Sequence, residues 1–307
     1  MSIVVVGTVG YDTIESPAGS RHNVLGGSAT YFALGAGFFW PVSLVSVVGR
    51  DFSSDHRQWL AERNVDLRNL EVREGPSFRW RVRYEATAAR RQTLALEPGV
   101  FADYQPRLLP DQCRADHLFL AGLAPAMQAS VLSQTHSPRI VAAGTIAHWI
   151  VDFRAELLRA LADLNLLFLN EEEALLLADD SSLLRAGRAL LSRGPQVVVI
   201  TRGEHGLWQF SPDGVFVAPA WPLEQSVDPT GAGDTFAGAY VGYLVRQGKL
   251  APAICRPAAI YASVLASFAV EAFGCERLLS LTWQEIDQRY RDYLALTDQH
   301  RPRWTSP

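Results

Sequence analysis

Six short apolar runs punctuate the chain: IVVVG (3–7), VSLVSVVG (42–49), DHLFLAG (116–122), PRIVAAG (138–144), LNLLFLN (164–170) and PQVVVITRG (195–203). Most end near glycine or a polar residue, and helical stretches separate several of them. Strands that are apolar on both faces must be covered on both faces, so this pattern specifies a parallel sheet with crossover helices. The fold class expected is α/β, a three-layer α/β/α sandwich with a mostly parallel central sheet. With 307 residues, of which 48% are apolar and 20% charged, the chain is expected to form one large domain over 1–307.

One segment has a different period. In SFRWRVRYE, Phe78, Trp80, Val82 and Tyr84 alternate with Arg79, Arg81, Arg83 and Glu85, the signature of a half-exposed strand. RRQTLALE is a hairpin partner for it. Residues about 75–98, together with about 11–24, are expected to form a small antiparallel sheet laid on the main one. After Pro229 the chain turns mostly helical, over about 233–247, 251–272 and 282–296. The polar tail DQHRPRWTSP is expected to fray.

Several function classes lose support here. A net charge of −4 offers nothing to nucleic acid or to an anionic membrane. No run of about 18 uninterrupted apolar residues calls for a membrane span, and no basic leader precedes the first strand. Cys113, Cys255 and Cys275 have neither metal-ligand spacing nor an even count, which fits a reducing cytoplasm. A Walker-type phosphate loop needs lysine in a set spacing, and the sole lysine, Lys249, lacks it. A dinucleotide-dependent oxidoreductase needs Gly-x-Gly-x-x-Gly after the first strand, where only GTVG stands.

The stretch DPTGAGDTFAGAY (228–240) carries the most chemistry. Pro229 suits the approach to a helix, and Gly231 and Gly233 let backbone amides point one way without side chains in front of them. A helix N-terminus so stripped is an anion cradle. Asp234 would compete with an anion there, unless its work is to take a proton from a hydroxyl placed beside the anion. The plainer alternative is a helix start with an acid in its first turn.

DPTGAGDTFAGAY closely resembles the C-terminal signature of the ribokinase-like carbohydrate kinases, the phosphofructokinase-B family. The resemblance implies a kinase that transfers the γ-phosphoryl group of ATP, with Mg²⁺, to a hydroxyl of a small polyol: a sugar, cyclitol or nucleoside. It implies an anion hole of Gly231, Ala232 and Gly233, with Asp234 as catalytic base. GTVGYD and LGGSATYFALGAGFF resemble the family's acceptor-binding elements, which implies substrate contacts at Asp12, Gly26 and Gly27. NEEEALLLA resembles its Asn-x-x-Glu element, implying that Asn170 lies at the nucleotide and that Glu173 supports the metal through water. The same two residues also read as a capping box. ITRGEHGLW resembles the nucleotide-contact turn, at Thr201, Gly203 and Gly206. Ser263 and Ser267, in AIYASVLASFAVEAFG, would flank adenine; the competing reading is a plain buried helix. The small sheet would be the substrate lid and a possible homodimer contact.

Two departures stand out. Tyr31, counted with the substrate-binding positions, occupies a place where family members often carry Asn, so its ring changes the sugar contact or the pocket volume; Gly144 and Ile146 stand where many carry Asp and Asn. A non-catalytic nucleotide- or sugar-binding regulator with the same fold is the alternative these departures leave open. The three lid arginines either recognise an anionic substrate or form a solvated face.

Overall fold

The computed structural model describes residues 2–85 and 91–297; residues 86–90 of the expected lid and the tail from 298 lie outside the described residues. The elements run β1 (Ile3–Gly7), β2 (Gly10–Ser16), β3 (Gly19–Gly26), α1 (Ser28–Gly37), β4 (Val42–Gly49), α2 (Ser54–Ala61), β5 (Val65–Arg73), β6 (Phe78–Tyr84) and β7 (Arg91–Glu97). There follow β8 (His117–Ala121), α3 (Pro125–Leu132), β9 (Ile140–Gly144), α4 (Ala147–Ala160), β10 (Leu166–Asn170), α5 (Glu171–Ala178), α6 (Leu183–Leu191) and β11 (Val197–Thr201). The chain closes with β12 (Leu207–Ser211), β13 (Gly214–Ala218), α7 (Ala232–Gln247), α8 (Pro252–Ala269), α9 (Glu276–Ser280) and α10 (Trp283–Thr297).

All six apolar runs are strands of one nine-stranded sheet ordered β13-β12-β11-β10-β9-β8-β1-β4-β5. Its pairings are parallel except at one end, where β12 and β13 form an antiparallel hairpin. One face packs on α1, α7 and α8, and the other on α3 to α6. The α/β/α sandwich is therefore as the periodicity specifies. The sequence pattern did not separate β5 or the β12–β13 hairpin, because edge strands lack the continuous apolar run of the central ones. The 18-residue α8 is long and apolar enough to cross a bilayer, yet more than half of it is buried in this core.

The second sheet has the order β3-β2-β6-β7. In β6, Val82 and Tyr84 are buried and Arg81 and Arg83 exposed, the alternation its sequence predicts. Ile14, Val82, Tyr84 and Phe273 form its own small core. The β2–β6 pairing is parallel, where a purely antiparallel sheet was expected: β2 and β6 are joined through half the main domain rather than by a hairpin. Ser16 Oγ donates to Val227 O at 2.7 Å, and the Tyr84 and Thr230 hydroxyls lie 3.0 Å apart. The small sheet is thus fastened to the segment leading into α7.

Glycines set the closest approach of α1 and α7. A Cβ on Gly35 would sit 2.5 Å from Thr235 O, one on Gly238 2.2 Å from Phe32 O, and one on Gly242 3.0 Å from Ala36 O. Each glycine costs a helix about 1 kcal/mol relative to alanine, and here the backbone contact it permits offsets that cost. Phe32 stacks on Phe119 of β8 at 3.9 Å, and Tyr240 lies edge-on to Phe168 of β10 at 5.3 Å. The helix pair is thereby seated over the middle of the sheet.

Gly238→Ala is expected to destabilise the fold by about 1–3 kcal/mol through overpacking, read as a lower urea midpoint with unchanged slope. A midpoint equal to wild type would show that the seam is slack.

Candidate active site

The helices α1, α5 and α7 begin near the carboxyl ends of the parallel strands. The chain leaves β1 toward β4 on one side and returns through β8 on the other, so β1 and β8 flank the topological switch point of the sheet, where open α/β folds place ligands. At α1, Ser28 N donates to Thr8 Oγ1 at 3.1 Å and Ser28 Oγ to Ala121 O at 3.1 Å. This helix start is therefore tied to the loops after both strands.

Asp12 projects from β2, where the register shifts between Asp12 and Ile14; such an irregularity re-aims side chains. Its carboxyl is 2% exposed. Gly26 leaves room for it, since a Cβ there would lie 2.1 Å from Asp12 Oδ2 and displace the carboxyl. Gly27 has a φ of 97° and would meet Thr8 O at 2.4 Å. Burial pushes the Asp12 carboxyl up to about 8; the charges of Asp228 and Asp234 add to this, and the Gly27 amide opposes it.

At α7, Gly231 caps the helix in the left-handed conformation (φ 71°, ψ 0°). Ala232 N–H reaches Pro229 O at 3.3 Å and Thr235 N–H reaches Gly231 O at 2.8 Å. The amides of Gly231, Gly233 and Asp234 have no acceptor among the described residues, and nothing lies within 4 Å of a Cβ built on Gly233. Two donors are thus left in the first turn of a sixteen-residue helix, with open space at Gly233. Asp228 holds the turn in place and is wholly buried. It accepts from Thr230 N at 2.9 Å and from Gly274 N at 2.8 Å.

Asp234 is half-buried. Burial and then the Glu173 charge push its carboxyl up to about 7, against the pull of Arg91. Glu173, 6% exposed, is likewise pushed up to about 7, by burial first, with the Asn170 amide and Arg91 opposing. The capping box is complete: Asn170 Oδ1 accepts from Glu173 N at 2.8 Å and Glu173 Oε2 from Asn170 N at 3.0 Å. Oε1 of Glu173 remains, 3.9 Å from Arg91. Arg91, at the start of β7, is the site residue sequence reasoning missed. It looks like any other charge on an exposed strand, and only the fold brings it to the Glu173 carboxyl and puts Asp234 within its field.

The nucleotide-side candidates differ in availability. Gly203 (φ 55°) opens to free space, whereas Gly206 is demanded by packing, with a Cβ 2.1 Å from Ala218 O. Arg202 pairs with Glu171 at 3.0 Å, joining this turn to α5. Thr201 Oγ1 makes only a long 3.4 Å contact to Leu169 O. Ser263 is buried on α8. Ser267 is engaged elsewhere, donating to Val264 O at 2.7 Å and accepting from Arg289 at 2.9 Å. Tyr31 is 1% exposed; its ring underlies the α7 turn, so that a Cβ on Gly231 would fall 2.2 Å from Cγ. Gly144 ends β9 and Ile146 caps α4.

Arg79, Arg81 and Arg83 of the small sheet are each paired within the chain. Arg79 binds Asp51 at 2.6 Å, and Arg81 and Arg83 share Glu15 at 2.8 and 2.7 Å. Their charge is largely answered on the spot, as a solvated face requires.

The family model for pfkB family carbohydrate kinases matches residues 2–281. The chain is 30% identical over 260 residues to a cytidine kinase of Thermococcus kodakarensis, covering 79% of this chain and 88% of that one. It is 32% identical over 114 residues to a deoxyribokinase of Salmonella typhimurium, covering 37% of this chain and 33% of that one. Among solved structures, the nucleoside kinase of Burkholderia thailandensis, in complex with inosine, superposes with a TM-score of 0.75 at 19% identity, covering 96% of this chain and 98% of that one. Aminoimidazole riboside kinase of Salmonella enterica, complexed with aminoimidazole riboside and an ATP analogue, gives 0.75 at 18% identity, covering 94% and 100%.

The electrostatics fix a titration pattern. In carboxyl NMR, Asp234 should titrate near 7 rather than near 4. Arg91→Ala should move that midpoint up and Glu173→Gln should move it down, the opposite signs following from the charge each removes. An Asp234 midpoint near 4, or shifts of the same sign, would refute the arrangement. Asp12 has a folded value of about 8, above its unfolded value of about 3.9. The stability tied to its neutral form is therefore full below about 4 and lost as pH rises through 8. Asp12→Asn should flatten that part of the urea-midpoint profile.

Proposed function

We propose an assignment of roles for this chain, which belongs to the pfkB family of carbohydrate kinases and is accordingly a phosphotransferase with an alcohol group as acceptor: Asp234 takes the proton of the acceptor hydroxyl, and the bare α7 amides steady the phosphoryl group it attacks. What carries the reading is one coincidence at one helix start. Free N–H groups at Gly231, Gly233 and Asp234 stand at the same turn as a carboxyl whose affinity for protons is raised to about 7. A base with that affinity both exists deprotonated at neutral pH and takes a proton readily. The dipole of α7 favours the negative charge that builds on the transferred group.

Asp12, with the backbone of Gly26 and Gly27 close against it, would accept hydroxyls of the polyol. Tyr31 would form the floor under the α7 turn, so its influence on the acceptor would pass through the shape of that turn. Asn170, Thr201, Gly203 and Gly206 would hold the nucleotide side, Gly203 by direct backbone approach and Gly206 by shaping the turn. The buried Ser263 and the engaged Ser267 would contribute packing along α8. The small sheet of β2, β3, β6 and β7, as the lid, would exclude water during transfer.

ATP is the donor proposed. Glu173, with one carboxyl oxygen outside its capping box, would orient Mg²⁺ through water. When bound, Mg²⁺ would offset charge on the donor's phosphates. Arg91 would do the same from the lid side, and its closeness to Glu173 and Asp234 would couple lid position to the state of the base.

The acceptor class is a small polyol, and the resemblance to a cytidine kinase makes cytidine the first compound to test, followed by other nucleosides, free pentoses and inositols. A coupled ADP-release assay over this set should give acceptor-dependent turnover. Asp234→Asn should lower kcat by roughly 10²–10⁴-fold with the circular dichroism spectrum unchanged. Wild-type turnover by that variant would remove Asp234 from the mechanism. ATP binding without turnover on any acceptor would favour a regulator.

A further inference from the structure

At the other end of α7 lies a cleft of about 260 Å³, between the β12–β13 hairpin and the start of α8. The helix rises about 24 Å over its 16 residues, so this cleft is remote from the α7 N-terminus. It exceeds the roughly 30 Å³ share of a single water and approaches the size range of small-metabolite sites.

Its floor is Gln209, a polar residue only 3% exposed. Gln209 Oε1 accepts from the Tyr240 hydroxyl at 2.8 Å, which leaves the amide nitrogen with no partner among the described residues, lining the cleft. That nitrogen stays accessible from the cleft, free to donate to a molecule that occupies it. One wall is the start of α8. There Pro252 has no N–H, and Ala253 N–H has no acceptor among the described residues, whereas Ile254 and Cys255 both donate to Ala251 O. Arg256 stands one turn further on, 5.5 Å over the Phe216 ring. It has no carboxylate partner among the described residues. Ser211 adds a hydroxyl, and Asp213 is an exposed carboxylate on the lining.

We propose that this cleft is a second ligand site, for a phosphate monoester of a small polyol. Donors line it from two segments: the Gln209 amide and the Ser211 hydroxyl on β12, and the Ala253 N–H and the Arg256 guanidinium in the first turns of α8. Such a set suits a tetrahedral group with three free oxygens better than a two-oxygen carboxylate. Asp213 repels a bare anion but accepts from hydroxyls, which favours an ester carrying a polyol over inorganic phosphate. The site is independent of the roles proposed for Asp234 and Asp12, since it shares no residue with them.

The test is a site-resolved NMR titration of the full chain with glycerol phosphate, inorganic phosphate and acetate. Glycerol phosphate should shift the Ala253 amide and the Gln209 side-chain amide saturably, more tightly than inorganic phosphate does, and acetate should leave both in place. Arg256→Ala should weaken that response at least tenfold, while Asp234→Asn leaves it unchanged. Three outcomes overturn the proposal: neither resonance moves, Arg256→Ala binds as wild type, or inorganic phosphate and acetate bind as tightly as the ester. Movement confined to the Gly233 and Asp234 amides assigns binding to the α7 N-terminus alone and equally overturns it. Because the readout needs no turnover, failure here is distinct from failure of the kinase assay.

Discussion

The contact on which the site depends is the bare-backbone seam between α1 and α7. Its glycines let two helices approach more closely than side chains permit, and both helices begin at the same edge of the sheet. Asp12, Gly26 and Gly27 lie at the start of one helix, and Gly231 to Asp234 at the start of the other. The hydrophobic effect seats the pair on the sheet through Phe32, Phe236 and Tyr240. The glycines determine how far apart the two N-termini stand, which is the dimension chemistry at the site is sensitive to.

Burial of acids follows from that closeness. Asp12, Asp228, Asp234 and Glu173 are all brought out of bulk water, and all are pushed toward the protonated form, with burial the first cause in each. Each is treated differently. Asp228 is spent on backbone amides and fixes the turn. Glu173 closes the capping box of α5. Asp12 faces the Gly27 amide, and Asp234 feels the charge of Arg91. Hydrogen bonds determine which of these acids are committed, and the remaining field determines when the others ionise.

The small sheet belongs to the same system. It contributes Asp12 from β2 and Arg91 from β7, while its Arg79, Arg81 and Arg83 are occupied with Asp51 and Glu15. One sheet thus carries arginines of two kinds, three neutralised locally and one directed at carboxyls of the main domain. Tyr84 and Ser16 fasten it to the segment that ends at Gly231, so Asp12 and the start of α7 are mechanically continuous.

The apolar runs by themselves determined the sandwich, because a strand buried on both faces has no other way to be covered. The alternation of 78–84 determined the half-exposed sheet for the same kind of reason. DPTGAGDTFAGAY was legible because its helix start, open backbone and acid are adjacent in the chain, and the Asn170–Glu173 capping box is likewise local. What only the tertiary structure decided is what touches what across long separations. Tyr31 lies beneath Gly231, Arg91 reaches Glu173, Ser267 is taken by Arg289, and Gln209 is left half-paired in a distant cleft. Sequence carries the period of each element, but the charge a carboxyl feels and the partner an amide finds are set by packing between segments, and no local pattern encodes those distances.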